Sequence, residues 1–278
     1  MKRRTLLTFA ASAVLLAACS QSNTPNQDAG ADNSAVEGSS ELLNRINNGE
    51  AIHVGTEGTY PPFTYHDVDG KLTGYDVEVT KAVADKLGVP VEFNETQWDA
   101  MLAGLDAQRF DMVANQVSLT TPERQAKYDK VTPYSWSGAV VLAPKEDSRF
   151  SAWDNLKGLR SAQSLSSNYG ELAEQYEAEI VPVEGMAQAI ELVKQGRADF
   201  TLNDRLAVLD YLKKHPESGL EIKLVAPASE QRGSGLILLK GNDEVVTKLN
   251  DAMQQLQEDG TLTRLSEQFF GQDISQQQ

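Results

Sequence analysis

The fold is decided by the stretch that begins Ala51-Ile52-His53-Val54-Gly55-Thr56-Glu57-Gly58-Thr59-Tyr60-Pro61-Pro62-Phe63 and runs on to Val117. Residues 51–55 read as a buried strand, and a second extended piece at 63–66 leads into an Asp69-Gly70 turn. From 75 to 87 the period becomes helical: Val79, Ala82, Val83 and Leu87 make one stripe, and Gly88 stops it. A strand at 91–94, a helix at 98–107 with Trp98, Met101, Leu102 and Leu105 on one face, and a strand at 111–117 continue the cycle. Strands alternating with helices in this way predict an α/β chain with largely parallel sheets.

Toward the C-terminus a short helix is expected near Thr121, and the cycle restarts after Pro133. Strands are expected at 137–142, 160–162, 180–183 and 198–203. Helices are expected at 167–175, 186–195 and 205–214, with Asp204 placed to cap the last. An extended run at 231–239 precedes a helix at 244–258 and a final helix ending at Phe269-Phe270-Gly271. Toward the N-terminus, Ser40 is placed to cap a helix at 41–48. The result is two α/β units in series, with no short internal repeat.

The start of the chain has a different character. Lys2-Arg3-Arg4 is followed by an apolar run ending Leu16-Ala17-Ala18-Cys19, so residues 1–18 read as a secretory signal peptide. Small residues before a cysteine resemble a bacterial lipoprotein box, and Cys19, the only cysteine in the 278 residues, is the expected lipidation site. Residues 19–40 are then a flexible tether, because Ser, Asn, Gln, Asp, Gly and Ala bury too little surface to offset ordering entropy. The chain carries 40 acidic against 25 basic side chains, a net charge of -15, which repels phosphate backbones, so no nucleic-acid partner is expected. One cysteine and three histidines argue against a disulfide framework and against zinc or haem, so no metal and no cofactor is expected. Beyond the N-terminus no apolar run approaches a membrane span in length.

Further segments follow in a telling order: Gly74-Tyr75-Asp76-Val77-Glu78, Trp98-Asp99 with Met101-Leu102, Asn115-Gln116-Val117-Ser118 and Thr121-Pro122-Glu123-Arg124. Ser167-Asn168-Tyr169, Asn203-Asp204-Arg205-Leu206-Ala207, Asp259-Gly260-Thr261-Leu262 and Phe269-Phe270-Gly271 complete the series. Together they resemble the polar-amino-acid group of periplasmic solute-binding proteins, the receptors of ABC importers, and within it the cystine-binding proteins. The resemblance implies an α/β, two-lobed periplasmic binding protein of type II with two crossover hinge strands, near 134–138 and 232–235. Lobe 1 would take residues 41–136 and 236–278, and lobe 2 residues 137–235. The implied function is that of an extracytoplasmic lipoprotein receptor, which captures an amino acid between closing lobes and delivers it to an ABC permease and its ATPase. L-cystine is the favoured ligand and another polar amino acid the alternative. The protein is expected to be a periplasmic or cell-envelope monomer, lipid-anchored to the membrane.

An amino-acid head needs donors for its carboxylate and acceptors for its ammonium. The resemblance gives the carboxylate to Arg124, whose planar fork suits it. Ser118 would add its hydroxyl, but it lies six positions before the arginine where the family has five, so Thr120 is the alternative. Asp204 is the expected ammonium partner and also a natural helix cap. Ser167 begins a helix whose free N–H groups would complete the carboxylate site, although the family often has glycine where this chain has Ser166. Tyr60 and Trp98 would wall the side-chain slot, Trp98 also belonging to the apolar stripe of its helix. Glu57 would accept from a ligand ammonium or stand as a solvated loop acid. Asn115 and Gln116 bring amides to the strand end where α/β sheets hold ligands. A dehydratase-type enzyme on the same fold is the rival. His53, His66 and His215 fall outside the motifs and no serine sits in a nucleophile elbow, so no catalytic residue is expected.

Overall fold

The computed structural model describes residues 33–277; the expected signal peptide, Cys19 and the tether as far as residue 32 lie outside the described residues. The first helix, Asn33–Asn48, begins before the expected position at 41, so residues 33–40 of the expected tether are helical. No proline lies between 33 and 40, and serine is only mildly unfavourable inside a helix, so Ser40 does not force a start there.

The strand Ile52–Thr56 pairs in parallel with Val91–Glu95 on one side and Met112–Val113 on the other. Ile52 and Val54 are fully buried in a core shared with the helices Asn33–Asn48, Tyr75–Leu87 and Asp243–Glu258. The helix Tyr75–Leu87 packs on Asp243–Glu258 and Thr261–Phe270. At that junction the Tyr75 ring lies 5.2 Å from Phe270 and 5.8 Å from Tyr134, both edge-on, and the Tyr75 hydroxyl donates to the Tyr134 carbonyl at 2.7 Å.

Ile237–Leu239 inserts antiparallel between Met112–Val113 and Tyr128–Lys130, completing a five-stranded sheet. In the other lobe Ala139–Pro144 is flanked, antiparallel, by Thr201–Asp204 and Leu220–Val225. Arg160–Gln163 pairs in parallel with Glu179–Pro182, and a parallel bridge from Ser161 to Phe200 joins the two ladders. The sheets are therefore less parallel than the alternation of elements predicts. The cause is topological. A chain that enters a lobe and leaves it again must cross in opposite directions. The two crossings, Ser135–Ser137 and Arg232–Ser234, pair antiparallel with each other. The strands that follow them, Ala139–Pro144 and Ile237–Leu239, accordingly run against their neighbours.

Gly74 governs the entry into the helix Tyr75–Leu87. Its φ is +125° with ψ 167°, and a Cβ there would lie 2.2 Å from the Phe63 carbonyl oxygen. Gly74→Ala is expected to lower the unfolding free energy by about 2–4 kcal/mol through backbone strain and the clash together. Urea unfolding measures this, and a wild-type midpoint would show that the turn does not need glycine.

Candidate functional site

Both lobes end their strands at a common cleft. Glu57 follows the strand Ile52–Thr56, while Asn115 and Gln116 follow Met112–Val113. Opposite them stand Asn203 and Asp204 at the end of Thr201–Asp204, and Ser167 as the cap of the helix Asn168–Gln175. The cleft holds two adjoining spaces. Glu57, Tyr60, Trp98, Asn115, Gln163, Ser167, Thr201 and Asn203 line the first, about 560 Å³ including the part open to solvent. Ser118, Thr120, Ser137, Glu171, Asp204 and Ser234 line the second. Gln116, Asn168 and Tyr169 line both. Of the residues picked from the sequence, only Arg124 lines neither space.

Arg124 lies directly behind the wall, and it is 4% exposed. Thr121 caps its helix, Pro122–Lys127, by accepting from the Arg124 N–H. The guanidinium stands 5.7 Å from the Trp98 ring. Its Nη1 donates to the Ser118 carbonyl at 3.3 Å, and its Nη2 to the Ser166 carbonyl of the other lobe at 2.7 Å. No carboxylate of the described residues lies within ion-pair distance of it. Burial lowers its pKa, opposed by the more distant negative charges of Glu171 and Glu123.

The carboxyls of the cleft have the converse problem. Burial pushes Glu57 up to about 7 although Asn115 Nδ2 donates to it at 2.7 Å, and the Asp99 charge adds to the rise. Asp204 is pushed by burial to about 6 against donors from Leu206 N–H at 2.8 Å and Ser137 Oγ at 2.9 Å. The Leu206 contact is the helix cap, so the structural role read for Asp204 is present, while Oδ2 lies 3.3 Å from the Tyr169 hydroxyl. Asp76, which the sequence analysis did not select, is fully buried and pushed to about 7 against two donors from Gln116, N–H at 2.7 Å and Nε2 at 2.6 Å. None of the three has a cationic partner among the described residues.

Gln116 is more than a wall. It holds φ at +52°, which ends the expected strand early and turns its N–H onto Asp76. Its Oε1 accepts from Ser135 on one crossing at 2.7 Å, and its carbonyl accepts from Ser234 on the other at 3.2 Å. Trp98 packs with Met101, Leu105 and Phe110 and also lines the first space. Of the two candidate hydroxyls, Thr120 Oγ1 is buried with no hydrogen-bond partner among the described residues, and both residues line the second space. Tyr60 donates across the cleft to Asn203 Oδ1 at 2.6 Å.

A buried carboxyl with a raised pKa destabilises the folded form wherever the group must be charged. Below about pH 4.5 the proton is held in folded and unfolded chains alike. As pH rises toward about 7 the unfolded chain ionises first, and the penalty grows to its full size. Glu57→Gln is therefore expected to stabilise the ligand-free protein by about 1–3 kcal/mol at pH 8 and by almost nothing at pH 4.5. Urea unfolding at both pH values checks this; the same increment at both would contradict burial as the cause.

A family model described as bacterial extracellular solute-binding proteins, family 3, matches residues 52–272. A probable amino-acid ABC transporter-binding protein of Haemophilus influenzae is 50% identical over 236 residues, covering 85% of this chain and 91% of that protein. The L-cystine-binding protein TcyA of Bacillus subtilis is 45% identical over 277 residues, covering 99% of this chain and 100% of that protein. The crystal structure of the L-cystine solute receptor of Neisseria gonorrhoeae, in its unliganded open conformation, is 63% identical, covers 85% of this chain and 99% of that one, and superposes with a TM-score of 0.59. High identity with modest superposition is what rotation of one rigid lobe against the other produces. Here the lobes are bridged by Tyr60 to Asn203 and Arg124 to Ser166. The matched stretch takes in both crossings and every cleft residue described above, and the chain belongs to the bacterial extracellular solute-binding proteins of family 3.

Proposed function

We propose that this protein is an extracytoplasmic receptor that shuts its lobes on a zwitterionic amino acid, L-cystine first, and hands it to an ABC permease and its ATPase. One observation carries the reading: among the described residues Arg124 is buried without a carboxylate partner, while Asp204, buried, and Glu57, half-buried, have no cationic partner. Unpaired charges held away from water are strongly unfavourable. A ligand bearing both a carboxylate and an ammonium relieves both signs at once.

The two adjoining spaces suit a ligand with two heads. One head of cystine would lie in the second space against Asp204 and the hydroxyl of Ser118 or Thr120, and its carboxylate would draw Arg124, which lines neither space, away from the Ser118 and Ser166 carbonyls. The sulfurs would pass the rings of Trp98 and Tyr60, and the second ammonium would reach Glu57. The start of the helix behind Ser167 would supply N–H groups to a carboxylate. The names of the Bacillus and Neisseria relatives support cystine, and that of the Haemophilus relative supports the permease. A basic amino acid is the second reading, because its side-chain cation would also meet Glu57. Recognition of an ammonium accounts for the cleft carboxyls without a reaction, so the chain is read as a non-enzyme, monomeric and without metal or cofactor. Among the described residues no helix is long and apolar enough to cross a membrane, and a lipid on Cys19 is the proposed attachment.

Calorimetric titration is expected to show tighter binding of cystine than of arginine, histidine or glutamine, with loss of that affinity once the cystine is reduced. Tighter binding of arginine would replace the first reading by the second; no binding of any amino acid would end both. Arg124→Ala is expected to weaken binding by about 2–5 kcal/mol, with Arg124→Lys recovering part of it. Near-normal affinity in the alanine variant would remove Arg124 from the site. Cys19→Ala is expected to release the protein from the membrane fraction, and membrane retention of a fully processed variant would contradict the anchor.

A further inference from the structure

We propose that Asp99 and Ser166 form a closing latch outside the ligand space, which sets how long the lobes stay shut. Asp99 stands in the first turn of the helix Trp98–Asp106 and lines neither space of the cleft. Across the cleft its Oδ1 accepts from the Ser166 N–H at 2.9 Å and from the Ser166 hydroxyl at 2.7 Å. Its Oδ2 accepts from the Leu165 N–H at 3.3 Å. On its other side Ser166 gives its carbonyl to Arg124 Nη2 at 2.7 Å. One residue of lobe 2 is thus gripped by lobe 1 twice, an anion at its N–H and a cation at its carbonyl.

The position of this grip gives it leverage. Ser166 immediately precedes Ser167, the cap of the helix Asn168–Gln175, and Ser167 lines the ligand space. Holding the 165–166 turn therefore holds the helix start against the cleft whether or not a ligand is present. The serine hydroxyl is the distinctive part. Glycine at 166 would keep the backbone contact and lose the shortest of the three bonds to Asp99. An exposed hydrogen bond contributes little alone, but three donors on one carboxylate act together and are charge-assisted. An acid in a helix first turn also suits the helix dipole, and that role alone would alter stability without altering lobe motion.

The test uses the full chain with Cys19→Ala and a donor–acceptor dye pair on Asp251→Cys in lobe 1 and Lys213→Cys in lobe 2, both exposed. Asp99→Ala is expected to shift the ligand-free energy-transfer distribution toward the open form. It is also expected to speed cystine dissociation about five- to tenfold while leaving association within about twofold. Ser166→Gly should give a smaller change in the same direction, and Ser166→Thr, which keeps the hydroxyl, should restore the parent behaviour. Adding Ser166→Gly to Asp99→Ala should change nothing further. The kinetic arm rests on the receptor reading; the ligand-free distribution does not, so absence of cystine binding leaves that arm to decide. An unchanged distribution, or equal effects on association and dissociation, would overturn the latch.

Discussion

A guanidinium buried among carbonyls, held apart from cleft carboxyls that have no cation, is the constraint on which the rest of this structure depends. Arg124 and the pair Glu57 and Asp204 cannot neutralise one another, because each is held by its own element: a short helix for Arg124, a strand end for Glu57, a helix cap for Asp204. In a low dielectric such separation is unfavourable for both signs. The raised carboxyl pKa values and the lowered arginine pKa are the same fact seen from two sides. These charges work against the inter-lobe hydrogen bonds when the cleft closes empty and with them when it closes around a zwitterion, which is the property a capturing cleft requires.

The fold keeps those charges apart and lets them move as two groups. Glu57 and Arg124 travel with the five-stranded sheet, and Asp204 travels with the strand Thr201–Asp204 of the other lobe. Between them the chain passes twice, and Gln116 touches both passages through Ser135 and Ser234 while its amide and backbone N–H hold Asp76. Tyr75, the neighbour of Asp76, is tied to the Tyr134 carbonyl just before the first crossing. The wall of the ligand space and the hinge therefore share atoms. Rotation of the lobes is felt at Gln116 and so at the two spaces that Gln116 lines.

Much of this was legible in the chain wherever an element is long enough to display its period. The helix Tyr75–Leu87 lies where its apolar stripe and Gly88 put it, and the helix Arg205–Lys214 begins at its Asp204 cap. Leu220–Val225 escaped the reading although Leu220, Ile222 and Leu224 alternate. It is largely half-buried, and a bulge between Ile222 and Leu224 breaks its pairing. Tyr128–Lys130 is too short to show any period. Of the groups picked for their distinctive chemistry, Asp204, Tyr60, Trp98 and Glu57 line the cleft, while Arg124 lies behind its wall. Asp76 was missed because an acid in a helix first turn already has a sufficient local reason. What ties it to the cleft is its pair of hydrogen bonds from Gln116, whose positive φ a non-glycine residue does not announce in sequence. Gln163 and Thr201 reach the cleft only through long-range pairing in the second lobe, so no local pattern marks them.

The central claim is tested most directly by removing one charge at a time from the ligand instead of from the protein. Calorimetry would compare cystine with its derivatives in which the carboxylates are amidated or the ammonium groups are absent. Amidation should leave Arg124 buried without an anion, and deamination should leave Glu57 and Asp204 without a cation. Each change is expected to weaken binding at least about a hundredfold, the scale of an unpaired buried charge. Binding of either derivative as tightly as cystine itself would contradict the account.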